Sequence, residues 1–178
     1  MMDPIEWEPC VMHNWVAAAV AVAFTVSAVA AEGLSEPSGD VLLTIRGDIA
    51  ETNGDGVARF DRPMLEAMPS ITFSTSTIWT EGTQEFTGVP LSAILDSVGA
   101  AGDTALATAI NDYAVQIPRD DWGDAAPIVA YEMNGAPMSV RDKGPLWIVY
   151  PYDSDATYRS EVIYARSIWQ LDRIVIDE

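Results

Sequence analysis

The stretch Asn134 to Pro151, NGAPMSVRDKGPLWIVYP, constrains this chain more than any other. Asn-Gly opens it as a tight turn, because both residues tolerate the left-handed backbone that such turns need. Leu146 to Tyr150 closes it as an unbroken apolar run between Gly144-Pro145 and Pro151, the pattern of a buried strand. Between the two stand Arg141, Asp142 and Lys143, three consecutive charges held by the Gly144-Pro145 step. A rigid loop carrying both charge signs at the mouth of a core strand can grip a ligand. The same residues also serve as an ordinary solvated turn between strands.

The chain has 178 residues, 49% hydrophobic and 20% charged, which suits one domain with a core of its own. Its net charge of -18 repels nucleic acid and anionic lipid surfaces. Cys10 and His13 are the only residues of their kinds, and both precede the apolar run WVAAAVAVAFTVSAVAA at 15–31. That run is short and Ala-rich for a membrane span, and Ala28-Val29-Ala30 fits a signal-peptidase site. The preceding MMDPIEWEPCV is acidic where a secretory leader is basic, so a start at Met12 is expected; an uncleaved anchor and a buried helix are the alternatives. The expected organisation is a signal peptide at 1–30, a Gly/Pro/Ser-rich linker at 31–40 and one domain at 41–178, exported to the periplasm.

Export changes the chemical inventory. Removing 1–30 takes away Asp3, Glu6 and Glu8, which leaves 24 acids against 9 bases and a net charge of -15. Cys10 and His13 go as well. The remaining chain can form no disulfide and no Cys nucleophile, Ser-His-Asp triad or zinc site of the usual ligand set, and it can hold no haem through His.

Local patterns predict an α+β fold. Val41 to Ile45 reads as a strand, TNGDG at 52–56 as a hairpin tip, and Val57 to Phe60 as the return strand. The tip also spaces Glu51, Asn53, Asp55 and Gly56 like a calcium loop, but Arg62 stands where the bidentate Glu belongs. Asp61 is an expected N-cap, with Pro63 in the first turn of a helix that Pro69 stops. Ser70 to Thr77 is β-branched and alternating, hence a strand, and Trp79 to Thr87 reads as an irregular loop. A second helix is expected from Pro90 to Gly99. Strands are expected at 104–110, 113–117, 128–133 and 168–176, a short turn or helix at 119–124 and a short helix at 158–164.

Four segments carry a family resemblance across about 41–176. Phe86-Thr87-Gly88-Val89-Pro90-Leu91 before a helix is similar to a W-x-G-x-P/R-L segment, and Asn111 to Pro118 to a D-G-Y…P strand. Asn134-Gly135-Ala136-Pro137-Met138 with Gly144-Pro145-Leu146 is similar to NGxPLxxxxGxPLRLxxP, and Arg166 to Leu171 to KSxKWLxxI. In this order they resemble the oxidoreductase molybdopterin-binding domain of the sulfite-oxidase fold. The resemblance implies mixed sheets with short helices, and a pterin pocket. In the enzymes of that family a Cys thiolate holds molybdenum at the end of the strand before the Phe86 segment. Thr75 or Ser76 stands there in this chain, and a neutral hydroxyl does not replace a soft thiolate. The chain is most similar to the small exported pterin-binding relatives that lack the Cys. The resemblance to that group implies a non-catalytic protein that reports a pterin to a membrane signalling partner such as a diguanylate cyclase. The alternative is a molybdopterin-dependent oxidoreductase with an atypical metal site.

A pterin offers a flat face for stacking and an edge of donors and acceptors, so it calls for an aromatic ring, a carboxylate or amide, and a cation. The expected ligand-binding residues are Thr75, Ser76, Trp79, Asn111, Asp112, Tyr113, Arg141, Asp142 and Lys143; no metal ligand and no catalytic residue is expected. Trp122 and Trp147 read as packing, and Arg166 as an ion-pair residue. With so few bases, an unphosphorylated, unmetallated pterin is the expected ligand, ahead of molybdopterin with molybdenum.

Overall fold

A computed structural model describes residues 33–123 and 126–177; the leader, its cleavage site and both candidate starts lie outside them. Among the described residues no helix is long and apolar enough to cross a membrane. Among the described residues ten strands form two five-stranded sheets. The first holds β1 (Val41–Gly47), β2 (Ala58–Asp61), β5 (Thr104–Ala109), β6 (Ala114–Pro118) and β10 (Leu171–Asp177), in the order β2-β1-β10-β5-β6. Only β1 and β10 run parallel in it. The second holds β3 (Ile71–Ser76), β4 (Thr83–Pro90), β7 (Ile128–Met133), β8 (Ala136–Pro137) and β9 (Trp147–Val149), all antiparallel. The α+β class and the mixed-sheet architecture expected from the sequence are what the chain adopts.

Three short helices complete it: α1 (Arg62–Ala67), α2 (Leu91–Ser97) and α3 (Glu161–Arg166). Asp61 caps α1 as its position predicts, its Oδ1 accepting the Met64 N–H at 2.9 Å. Its Oδ2 accepts from the Ser38 and Gly39 amides at 2.6 and 2.8 Å, tying residues 38–39 to the domain. These bonds to the charged form hold the Asp61 carboxyl below the usual carboxylate range, the Met64 amide contributing most. Ser160 caps α3 by accepting the Ile163 N–H at 3.3 Å.

The run at 146–150 is the most deeply buried strand, as its composition predicts. Leu146, Trp147, Ile148 and Val149 are fully buried. One edge of β9 pairs with β7. At the other, Ile148 donates its N–H to Ile168 O and Leu146 O accepts from Leu171 N, at 2.9 and 3.0 Å. Residues 168–171 thereby stitch the second sheet to the start of β10 in the first. This is why the closing strand begins at Leu171 and not at Ile168: Ile168 and Trp169 pair with β9, and the Gln170 N–H goes to Lys143 O. The segment 79–87 also departs from expectation, because Thr83 onward is β4. Glu, Gln, Gly and Pro there have low strand propensity, and the six-residue register with β3 overrides it.

Candidate functional site

Where the two sheets are stitched together, a cavity of about 450 Å³ opens. It falls in the size range of small-molecule sites. Its lining comes from the 77–80 turn after β3, the 109–113 turn between β5 and β6, and the α3–β10 junction. The lining residues are Trp79, Asn111, Tyr113, Tyr164, Ser167 and Trp169, with Ala109, Ala165 and Ile168 between them. None of these side chains is charged.

Trp79 is the hub. Thr77 and Thr80 join their hydroxyls at 2.8 Å, and the Thr77 hydroxyl accepts the Trp79 N–H at 3.1 Å, which fixes the turn that presents the ring. The indole then meets Trp169, Tyr164, Trp147 and Tyr152 edge-on, with centroids 5.5, 5.7, 5.9 and 6.3 Å away. Such edge-to-face pairs each add about 0.5–1.5 kcal/mol beyond area burial. Beneath them lies Ser167, whose hydroxyl accepts from Tyr152 Oη at 2.6 Å and donates to Ile163 O at 2.8 Å. Its carbonyl accepts the Trp147 indole N–H at 3.1 Å. Burial is the main reason that the Tyr152 phenol is pushed up to about 12, so it stays a neutral donor.

The opposite wall is the 109–113 turn. Asn111 Oδ1 accepts the Tyr113 N–H at 3.2 Å, and Asp112 takes a positive φ of 67°. That conformation suits an Asp, and Arg173 holds it by an ion pair. Asn111 and Tyr113 thus face the cavity, while Asp112 turns to β10.

The expected site residues therefore separate. Trp79, Asn111 and Tyr113 meet at the cavity. Thr75 and Ser76 do not line it; they form a clasp with Asp153. The buried Thr75 hydroxyl accepts the Asp153 N–H at 3.0 Å, and the Asp153 carboxylate accepts from the Ser76 amide at 2.6 Å and hydroxyl at 2.8 Å. These bonds, the Ser76 amide first, hold the Asp153 carboxyl below its usual range. Arg141 and Asp142 are exposed and do not line the cavity, Asp142 accepting from Ser139 Oγ at 2.8 Å. Lys143 acts indirectly: its ammonium lies 4.7 Å from the Trp169 ring centroid and braces that wall. Trp147 and Trp122 are packing residues and Arg166 pairs with Asp121, as read from the sequence.

Tyr164, Ser167, Ile168 and Trp169 escaped the sequence reading as site residues. Ser167, Ile168 and Trp169 lie in Arg166 to Leu171, one of the four segments carrying the resemblance, which reads from Ile168 on as the closing strand; Tyr164 ends the expected helix at 158–164.

Residues 62–156, more than half of the chain, match the signature of the family described as oxidoreductase molybdopterin binding domain. No curated protein matches the chain. The match covers the 77–80 and 109–113 turns that line the cavity and ends before the α3–β10 junction that supplies Tyr164, Ser167, Ile168 and Trp169. On this match, in the fold described above, the chain belongs to the oxidoreductase molybdopterin-binding domain family.

Proposed function

We propose that this protein binds a pterin without metal and does not catalyse oxidoreduction. The observation that carries the proposal is the uncharged lining of the cavity. Molybdopterin brings a phosphate and a molybdenum ion. A phosphate calls for Arg or Lys in contact, and the metal for a soft thiolate. No lining residue is basic, and residues 33–178 contain neither Cys nor His. Thr75, where the resemblance puts the thiolate, has its hydroxyl engaged with Asp153. These residues do not fit the phosphorylated, metallated cofactor. They do fit a flat neutral ring: Trp79, Tyr164 and Trp169 offer faces and edges for stacking, and Asn111 offers an amide for the polar edge.

The wider role extends from this. The protein is exported to the periplasm and reports pterin occupancy to a membrane signalling partner, a diguanylate cyclase being the kind the resemblance implies. The leader-like run at 15–31 supports export, and amino-terminal sequencing of the periplasmic form should then begin at Ala31.

Titration of unsubstituted pterin into the purified chain, followed by tryptophan fluorescence, tests the binding. Saturable quenching is expected, and Trp79→Leu should weaken it by about 1 kcal/mol, roughly fivefold. Absence of quenching would defeat the reading. A second reading, a molybdopterin-dependent oxidoreductase with an atypical metal site, is favoured by the family match itself. Molybdenum in stoichiometric amount would establish it in place of the first.

A further inference from the structure

Exposed large apolar side chains are ordinary when scattered, and informative when they gather in one area. Among the described residues six exceed 40% exposure: Val41, Ile78, Ile110, Tyr113, Val140 and Val162. Tyr113 lines the cavity itself, Ile78 precedes Trp79, and Ile110 lies between Ala109 and Asn111, both in the lining. Val162 sits one turn before Ala165 on α3, on the same helix face. The Val140 carbonyl accepts the Gln170 side-chain N–H at 2.6 Å, next to Trp169. Val41, by contrast, pairs with Asp61 of β2. The other five therefore gather at the end of the first sheet where β10 begins, around the cavity mouth.

We propose that this mouth is a docking surface for a protein partner with an apolar centre and a basic margin. The site deepens the signalling role proposed above and rests on it. Charge selects the occupant. Exposed acids fringe the apolar residues: Asp112 beside Ile110 and Tyr113, Asp142 beside Val140, Glu161 beside Val162, and Glu81 close after Ile78. Arg141 is the exposed base among them. With a net charge of -15 on residues 31–178 behind this fringe, a second copy of the chain and an anionic lipid surface are both repelled, whereas a Lys- or Arg-rimmed surface is attracted. A partner seated here covers the exposed part of the lining, Asn111, Tyr113 and Ala165, so docking and pterin occupancy are coupled there.

The test uses the full chain with Cys10→Ser, carrying a single thiol at Ile78→Cys, Val162→Cys or, as control, Glu51→Cys. Glu51 is exposed beyond the far end of β1, where β10 finishes. Each thiol is labelled with a maleimide-benzophenone and irradiated with membranes and periplasm of the host. Both mouth positions should cross-link one and the same protein, through a peptide rich in Lys or Arg, several-fold more than Glu51. The yield should fall several-fold in high salt. Equal labelling from Glu51, cross-links only to a second copy of this chain or to lipid, or none above background would overturn the proposal. Each labelled chain is also titrated with pterin. Pterin bound without a site-specific cross-link defeats the docking surface alone, and pterin unbound by the unlabelled chain defeats the binding reading instead.

Discussion

At the scale of single residues, the site depends on polar atoms concealed under aromatic rings. Ser167→Ala removes the acceptor of the Tyr152 hydroxyl and leaves it buried and unpaired, which costs about 1–3 kcal/mol. In urea denaturation, adding Tyr152→Phe should then cost less than Tyr152→Phe alone in the native background, because the orphaned hydroxyl goes with it. Tyr150 provides the opposite case. Its hydroxyl is buried with no hydrogen-bond partner, and burial raises its pKa, so it stays protonated. Tyr150→Phe should leave the melting temperature unchanged or raise it, since it removes an unsatisfied polar group at no cost in packing. A drop of several degrees would mean that this hydroxyl has a partner. Trp79, Asn111 and Tyr113 were legible in the sequence because turn chemistry and aromaticity are local signals. Ser167 was not: nothing near it in the chain reveals that Tyr152 and Trp147 converge on it.

At the scale of elements, the legible parts were those that carry their own instructions. The α1 cap, the buried β9 run and the 52–56 hairpin tip follow from residue type and spacing. The first half of β4 does not, because its strand character comes from pairing with β3. The motif glycines gain a physical reason here: a Cβ on Gly88 would lie 2.3 Å from Val129 O, and one on Gly144 2.0 Å from Met138 O. Neither contact can yield, because both partners are backbone.

The clasp of Asp153 on Ser76 and Thr75 makes an element-level prediction. Asp153 and Asp61 both have carboxyl pKa values lowered by folding, so the unfolded chain takes up protons first. Their stabilising contribution is complete above the unfolded carboxylate value of about 4 and disappears as pH falls through the lower folded values. Asp153→Asn should lower stability at pH 7 and flatten the loss below about pH 4, with faster hydrogen exchange at the Ser76 amide. An unchanged acid limb would show that this carboxylate contributes nothing to it.

At the scale of the whole molecule, the two sheets are joined through residues 168–171, of which Ile168 and Trp169 also line the cavity. Binding there braces the joint between the sheets, so a ligand should raise the melting temperature of the entire domain and not merely order a loop. The fold was legible because four segments fell in the right order over most of the chain. The charged loop at 141–143 does not line the cavity although its charges are adjacent in sequence; it touches the uncharged lining through the Lys143 contact with Trp169.

The most direct measurement of the central claim is the content of the protein isolated from its own host, by mass spectrometry of the released small molecule together with elemental analysis. The account predicts an unphosphorylated pterin near one per chain, with molybdenum and tungsten far below that ratio. A phosphorylated molybdopterin accompanied by an equal amount of metal would contradict it.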